Sequence, residues 1–386
     1  MLPLFLTTAA IVTGLGMVIP LLPFYAARMG AGPAEVAMLF AVYSAAQFVA
    51  APIWGRLSDR IGRRRVILVC YAGTALSYLW LANVGGLVEL FLARAFAGAV
   101  AGWLAAGQAW VADSTDEAGR ARGMGIVGAA FGVGFIVGPA LGAMAVGGGT
   151  PNFALPILAS AAAAGLATLV GAIMLREPVR RAVETGPGVL ASPGVLTTPL
   201  ILLLLTIYFA GYFVFSGMES TLALWGDAAL GLGPRDVGLL LAFAGVCMAV
   251  VQGGLMGRLA RRFGEGRLVL AGNAALIAGF LLVPPSAATP VLLLPAMALL
   301  AIGQGIANPS IQSLVSRQVP AASRGGTLGV LQSANSLGRI LGPIWAGFAF
   351  ASIGRDWPFL GGALLLLPSL VAALIAGRIA RRGVAE

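Results

Sequence analysis

The chain has 386 residues, of which 59% are hydrophobic and only 10% are charged, and its mean hydropathy is +0.95. A soluble domain carries about 25% charged residues, so this composition excludes a water-soluble globular protein and indicates lipid as the solvent. All 24 basic residues are arginine and the formal net charge is +10, but the arginines are spread along the chain, which excludes a compact nucleic-acid-binding face.

Twelve apolar stretches are each long enough to cross a bilayer, for which about 20 residues are needed. Because lipid offers backbone amides no hydrogen-bond partner and no alternating strand pattern occurs, each stretch predicts a helix. The predicted fold is an all-α membrane protein with twelve transmembrane helices in two pseudo-symmetric six-helix bundles. The predicted spans are 3–25, 36–55, 66–84, 87–112, 122–146, 153–175, 200–225, 237–257, 267–285, 290–315, 325–349 and 358–378.

The loop between the second and third spans reads Gly55-Arg56-Leu57-Ser58-Asp59-Arg60-Ile61-Gly62-Arg63-Arg64-Arg65. A carboxylate at the membrane edge can bind an arginine or the N-terminus of a neighbouring helix, so the acid in this loop can act as a latch. The alternative is that the arginines only set the topology of the chain. Gating residues are predicted here at Gly55, Asp59, Arg60, Gly62 and Arg63.

The fifth span carries a glycine pattern, Gly125-x8-Gly134-x3-Gly138-Pro139, which the eleventh span repeats 204 residues later as Gly329-x8-Gly338-x3-Gly342-Pro343. Glycines at i, i+4 spacing let another helix approach closely, and the proline removes one helical hydrogen bond. The pattern predicts a hinge between the halves, with an immobile tight helix contact as the alternative. The gating residues predicted in it are Gly134, Gly138, Pro139, Gly338, Gly342 and Pro343.

The longest polar segment separates the sixth and seventh spans. Residues 176–199 are rich in Gly, Pro and charged residues, which is typical of a flexible tether. The segment predicts a cytoplasmic linker between an N-terminal bundle, 1–175, and a C-terminal bundle, 200–386. The loop at Gly55–Arg65 is echoed 202 residues later at Gly257–Arg267, where Arg261 takes the place of Asp59, so the latch should be asymmetric.

The arginines also predict orientation. Most of them fall in loops on one side of the predicted spans, and only Arg28, Arg235 and Arg355 fall in loops on the other. The positive-inside rule then places the arginine-rich side, with both termini, in the cytoplasm.

Ionisable groups within the hydrocarbon are costly and therefore predict function. Glu219 in the seventh span is the only carboxylate placed clearly inside a span, and Arg94 and Arg339 lie inside the fourth and eleventh. A carboxylate in an apolar medium favours its protonated form, so Glu219 is the predicted proton carrier, with Arg94 as a possible partner for its charged form. A permanent buried salt bridge that fixes helix packing is the alternative.

Uncharged polar and aromatic side chains inside the other spans predict the lining of a central substrate cavity. Hydrogen bonding between helices is the alternative role for each of them. With large apolar side chains nearby, the lining would suit an amphipathic, moderately large compound. The predicted cavity residues are Tyr43, Gln47, Gln108, Tyr208, Tyr212, Gln252, Gln304, Asn308, Gln312, Asn335 and Arg339.

The loop motif matches the pattern G-x3-D-R-x-G-R-R of the major facilitator superfamily, which the chain resembles along its whole length. The fourth span adds the family pattern Arg94-x3-Gly98, and the glycine pattern of the fifth span is associated with the antiporter branch. The chain is similar to drug:proton antiporters of the tetracycline efflux type, a likeness that the run Ala112-Asp113-Ser114-Thr115 strengthens.

The resemblance implies a charge cluster of Asp59, Arg63 and Asp113 that holds the two halves closed on the cytoplasmic side. It also implies a bacterial-type inner membrane, protons and a small molecule as partners, and function as a monomer. One departure stands out. The tetracycline exporters carry an acid in the first span where this chain has Ile11, so either Glu219 has taken over the coupling, or transport is coupled differently or not at all.

The leading functional hypothesis is a proton-coupled exporter of amphipathic drugs or metabolites that works by alternating access. A sugar or small-metabolite facilitator or symporter of the same fold is the alternative. An intramembrane enzyme lacks support, because no histidine and no nucleophile with a base occur, so no catalytic residue, metal site or cofactor is predicted.

Overall fold

The computed structural model describes residues 1–115, 117–147, 151–178 and 198–382, and within these ranges every regular element is helical. The prediction of an all-α fold is confirmed. The helices are α1 (Leu2–Val18), α2 (Leu22–Arg28), α3 (Pro33–Ile61), α4 (Arg63–Ala82), α5 (Leu87–Ala99), α6 (Trp103–Ser114), α7 (Glu117–Val146), α8 (Ala154–Met174), α9 (Pro199–Leu230), α10 (Pro234–Val250), α11 (Met256–Phe263), α12 (Glu265–Leu282), α13 (Leu293–Gln318), α14 (Ala321–Ser352) and α15 (Trp357–Arg382).

Ten helical segments within the described ranges are long and apolar enough to cross a membrane, and α1 with α2 adds an eleventh if this pair, bent by 43°, is one span. The predicted polytopic membrane protein is therefore confirmed. The count of twelve stays a prediction, because α14, at the predicted eleventh span, is not among these segments.

The fourth predicted span is interrupted. It consists of α5 and α6, separated at Val100–Gly102. The indole of Trp54 in α3 lies where a side chain on Gly102 would stand, and its Nε1 donates a hydrogen bond to the carbonyl oxygen of Ala99 at 2.6 Å. A side chain that inserts at a helix backbone is a known cause of a break, so Trp54 explains why this span is two helices.

The chain divides into two compact units. Unit 1 comprises Met1–Val183 and Gly231–Ala242, and unit 2 comprises Glu184–Leu230 and Phe243–Glu386. The division assigns the start of α10 to unit 1. The predicted bundles 1–175 and 200–386 stay a prediction, and most of the predicted linker, 179–197, lies outside the described residues.

Glycine-mediated helix contacts build the core of unit 2 as well as of unit 1. In unit 2, α12 packs on α13 with Gly272 against the carbonyl oxygen of Gly303. A Cβ on Gly303 would lie 2.7 Å from the carbonyl oxygen of Gly272. Small residues let the two backbones approach this closely, which is the way helices gain packing energy in lipid.

Candidate functional site

A cluster of charges joins three helix ends in unit 1. Arg63, the first residue of α4, places Nε 2.9 Å from Oδ2 of Asp113 near the end of α6, and Nη1 2.6 Å from Oδ1 of Asp59 near the end of α3. Nη1 also donates to Ser58 Oγ at 2.6 Å. The structure thus brings together Asp59, Arg63 and Asp113, the three residues that the family resemblance grouped.

The two ion pairs of this cluster differ in exposure. The side chain of Asp59 is 61% exposed, whereas those of Arg63 and Asp113 are 18% and 13% exposed. Exposed pairs contribute little because water screens them, so the Arg63 to Asp113 pair is the stronger link. Arg60 is exposed beside the cluster, and no atom lies within 4 Å of where a side chain on Gly55 would begin.

Glu177 also belongs to this region, although no sequence motif singled it out. Its carboxylate accepts hydrogen bonds from the backbone N–H of Arg63 at 2.6 Å and of Arg64 at 3.1 Å. Gly62 has φ +110°, and a Cβ there would lie 2.8 Å from the Glu177 carboxylate. Gly62 is therefore required both by its backbone conformation and by the close approach of this acid. The only sequence signal was an acid shortly after the sixth span.

Arg94 lies inside unit 1 with only 3% of its surface exposed, and its guanidinium carbon is 4.5 Å from the centre of the Tyr43 ring. A cation above an aromatic face is stabilised by the ring quadrupole, and more so away from water. Thr74, Ser77 and Tyr78 line the same small pocket.

Ile11, where the family resemblance implied an acid, lines that pocket too, so this position faces the same space as Arg94. No carboxylate is among the described residues that line it. The other predicted cavity residues of unit 1 lie outside this lining: Gln47 is half-buried, about one turn along α3 from Tyr43, and Gln108 is exposed on α6.

Unit 2 gathers most of the predicted polar cavity residues. The rings of Tyr208 and Tyr212 meet edge to face, 4.9 Å between centres, and Gln312 Nε2 donates to the Tyr208 hydroxyl at 3.1 Å. Asn335 lies within hydrogen-bonding reach of Tyr208, and Asn308 of Tyr212. Two tyrosines and three amides therefore form one cluster, which we call the phenol–amide cluster.

Gln304 extends the polar surface of unit 2. It is 3% exposed, and neither its Oε1 nor its Nε2 has a hydrogen-bond partner among the residues that the structure describes; Oε1 stands 4.0 Å from where a side chain on Gly211 would begin. Within the same described ranges, Oδ1 of Asn335 is likewise buried without a partner. Buried polar groups are almost always satisfied, so such exceptions indicate a place where a ligand or water binds.

The remaining predicted cavity residues of unit 2 are Gln252, which is exposed, and Arg339. Gln252 lies in a π-helical stretch, Val251–Leu255, that joins α10 to α11. Its side chain lies against Gly305, the residue that follows Gln304 in the sequence. Such stretches are frequent at functional sites. Arg339 is half-buried on α14 and close enough to Tyr212 for the two side chains to interact electrostatically.

Glu219 is half-buried within α9, between the fully buried Met218 and Ser220. It belongs to unit 2, while Arg94 belongs to unit 1. The proposed pairing of the two stays a prediction.

Both glycine patterns bring two helices of one unit into close contact. A Cβ on Gly138 would lie 2.5 Å from the carbonyl oxygen of Thr13 in α1, and one on Gly134 would lie 2.6 Å from Cβ of Val12. In unit 2, a Cβ on Gly338 would lie 2.9 Å from the backbone nitrogen of Phe213 in α9, and one on Gly342 would collide with the carbonyl oxygen of the same residue.

The close approach that the glycine spacing predicted is therefore present, and the helix that these four glycines contact lies in the same unit. Pro139 and Pro343 lie inside helices that continue past them. The hinge role of these residues stays a prediction.

Comparison with known proteins agrees with this architecture. A model of the Major Facilitator Superfamily matches residues 4–343, with a second match at 228–384. The chain belongs to the Major Facilitator Superfamily. It is 35% identical to the class G tetracycline resistance protein of Vibrio anguillarum, over 92% of each chain, and 31% identical to the class C protein of Escherichia coli, over 93% of this chain and 92% of that one.

More distant members of the superfamily extend the likeness. Multidrug resistance protein 2 of Bacillus subtilis is 26% identical over 94% of this chain and 91% of its own length. Among solved structures, the human organic anion transporter MFSD10 (TETRAN) has a TM-score of 0.72 at 23% identity, covering 96% of this chain and 98% of its own. The nucleoside transporter NupG has a TM-score of 0.75 at 16% identity, covering 97% of this chain and 98% of its own. These two structures share the fold. The chain is therefore an integral membrane transporter and not an enzyme.

Proposed function

We propose that this transporter exports amphipathic drugs or metabolites in exchange for protons, by alternating access in a bacterial inner membrane, as a monomer with both termini in the cytoplasm. The tetracycline and multidrug resistance relatives support export of such compounds. The observation that carries the proposal is the cluster in which Arg63 binds Asp59 and Asp113, because it joins three helix ends through contacts that can break and re-form.

In this proposal the cluster is the cytoplasmic latch. Charge-assisted hydrogen bonds are strong enough to hold a closed state yet need only a small movement to be lost. Only Asp59 is exposed in this cluster, but Arg63 and Asp113 can both be hydrated when the helix ends separate, which lowers the cost of breaking their pair. The glycine contacts of α1 with α7 and of α9 with α14 then hold each pair together as the transporter changes state.

The substrate would contact the phenol–amide cluster and Gln304. Edge-to-face tyrosines offer apolar surface with hydroxyl groups, and the unpartnered amide atoms of Gln304 can both donate and accept hydrogen bonds. A compound that combines ring surface with carbonyl or hydroxyl groups fits this chemistry. A facilitator of sugars or small metabolites remains the second candidate, since the fold alone is shared with a nucleoside transporter.

Glu219 is the proposed proton carrier. The pocket around Arg94 holds Ile11 where the related exporters carry an acid, so coupling in this chain needs another carboxylate. Glu219 lies inside a span, in the second half of α9, and from there it would exchange a proton as the transporter opens to each side.

Uptake into proteoliposomes under an imposed pH gradient tests the proposal, with tetracycline as the probe. The parent protein should concentrate tetracycline only when the gradient is present, and Glu219→Gln should equilibrate the drug without concentrating it. Glu35→Gln is the matched control, since Glu35 binds the backbone N–H of Gly32 at the start of α3, and it should behave like the parent.

Concentration of tetracycline by Glu219→Gln at the parental level would remove Glu219 from the coupling mechanism. Gradient-independent movement of neutral sugars by the parent, with no effect of the gradient on tetracycline, would favour the facilitator.

A further inference from the structure

The two units place an ion pair at equivalent positions but with the charges exchanged. In unit 1, Arg63 is the first residue of α4 after the positive-φ Gly62, and it pairs with Asp113, the penultimate residue of α6. In unit 2, Glu265 is the first residue of α12 after the positive-φ Gly264, at 76°. Its Oε1 lies 3.1 Å from Nη2 of Arg317, the penultimate residue of α13.

The exchange changes how each pair interacts with the helix dipoles. Anions are favoured at helix N-termini and cations at C-termini. Glu265 and Arg317 follow this preference at both ends, and Ser313 Oγ adds a hydrogen bond to Glu265 at 3.0 Å. Arg63 and Asp113 oppose it at both ends. With respect to the helix dipoles the pair of unit 1 is thus the less favoured one, and α4 has no acid in its own first turn.

Glu177 supplies the missing acid. Its two carboxylate oxygens accept the backbone N–H groups of Arg63 and Arg64, at 2.6 and 3.1 Å, which are orphan donors of the first turn of α4. A carboxylate there satisfies both the hydrogen-bonding need and the dipole. Glu177 therefore does for α4, across 114 residues of chain, what Glu265 does for α12 as its own first residue.

The segment that carries Glu177 touches both helices of the unit 1 ion pair. The carbonyl oxygen of Arg176 accepts a hydrogen bond from Trp110 Nε1 at 2.9 Å, about one turn before Asp113 on α6. Arg64 Nη2 donates to the carbonyl oxygen of Ala172 at 2.6 Å, close to the end of α8. Residues 176 and 177 thus link α6 to the start of α4 beside the Arg63 to Asp113 pair.

We propose that Glu177, at the start of the segment between the sixth and seventh spans, is a positioning residue that keeps the Asp59, Arg63 and Asp113 latch closed. The inference rests on the proposed function of that cluster. It makes the latch depend on a segment of chain that leads toward the second half, whereas the start of α12 carries its own acid, Glu265.

Cysteine labelling tests this role without a substrate. A cysteine replaces Gln47, midway along α3, in a protein whose Cys70 and Cys247 are changed to alanine, and a membrane-impermeant maleimide is applied to inside-out and right-side-out vesicles. Glu177→Ala should raise the labelling rate from the cytoplasmic face about five-fold, the size expected for loss of a helix cap, and lower the rate from the opposite face. Glu177→Gln, which keeps an acceptor oxygen, should have the same effect at a smaller size and serves if the alanine variant does not fold.

Two further variants serve as the positive and the negative control. Asp113→Asn breaks the latch directly and should raise cytoplasmic labelling. Glu35→Ala removes a capping acid from the start of α3 and should leave both rates unchanged.

Parental labelling in both Glu177 variants, with faster labelling in Asp113→Asn, would overturn the role of Glu177 and leave the latch intact. Parental labelling in the Glu177 variants and in Asp113→Asn would overturn both the role of Glu177 and the latch itself. Faster labelling from both faces, or an equal rise in Glu35→Ala, would identify general loosening and would also overturn the role.

Discussion

The two units share their glycine contacts but differ in their polar groups. Close-packed glycines hold α1 on α7 in unit 1 and α9 on α14 in unit 2. Unit 1 buries the cation of Arg94 and joins its helix ends through Arg63, whereas unit 2 holds the neutral phenol–amide cluster and buries the amide of Gln304. The two units thus share their glycine-mediated helix packing, and they differ in the polar side chains that each unit contains.

Alanine at the tight glycines tests the shared part and should have the largest effect. Gly138→Ala and Gly342→Ala place a methyl group against a backbone carbonyl oxygen of the neighbouring helix, which cannot move aside alone. Each should cost about 1–3 kcal/mol or more, because overpacking forces the helices apart. Thermal unfolding in detergent and the yield of folded protein measure the effect.

The first glycine of each pattern is the control. Apart from their own stretch of helix, no described residue places an atom within 4 Å of a Cβ built on Gly125 or Gly329. Their alanine variants should match or slightly exceed the parent in stability, since alanine favours helix over glycine by about 1 kcal/mol. Equal losses at all four positions would show that the glycines serve a general flexibility rather than close packing.

Neutralising one member of each ion pair sharpens the difference between the units. Asp113→Asn leaves Arg63 with the exposed Asp59 as its remaining carboxylate partner and should cost about 1–2 kcal/mol of the closed state, because a charge-assisted hydrogen bond between mostly buried groups is lost. Arg317→Gln removes a side chain that is 70% exposed and should change stability by less than about 0.5 kcal/mol. The transport rate and the melting temperature are measured for both variants and for the parent.

Asp113→Asn should change the transport rate more than the melting temperature, and Arg317→Gln should change neither strongly. A stronger effect of Arg317→Gln on transport would contradict the assignment of the movable latch to unit 1.

Replacing the buried amide of Gln304 should change stability less than the substitutions at Gly138, Gly342 and Asp113. Gln304→Leu removes two buried polar atoms without partners and should stabilise the protein by up to about 1 kcal/mol, since it relieves a desolvation penalty. It should also weaken substrate binding, measured as a rise in the KM of tetracycline transport.

Asn273→Leu is the matched control, because Asn273 is a buried amide of unit 2 outside the phenol–amide cluster, with Oδ1 unpartnered and Nδ2 bonded to Val269. Its KM should stay parental. A loss of stability in Gln304→Leu with unchanged KM would assign Gln304 to helix packing.

Much of the site could be predicted because its parts are local in sequence. The loop motif is a contiguous run, and Asp59 and Arg63 are four residues apart. The polar residues of unit 2 stood out because polar groups inside predicted spans are costly in lipid. Glu177 could not be predicted, since its partner helix is 114 residues away and an acid after a span has many possible partners.

Composition and apolar length alone determined that this protein is a helical membrane protein, because the cost of unpaired backbone groups in lipid permits no other element of that length. The motifs determined its family. The tertiary structure decided which helix each glycine row contacts, that Ile11 shares a pocket with Arg94, and that Glu177 caps α4. These contacts join residues distant in sequence, and their strength depends on distance, direction and exposure, which only the folded chain defines.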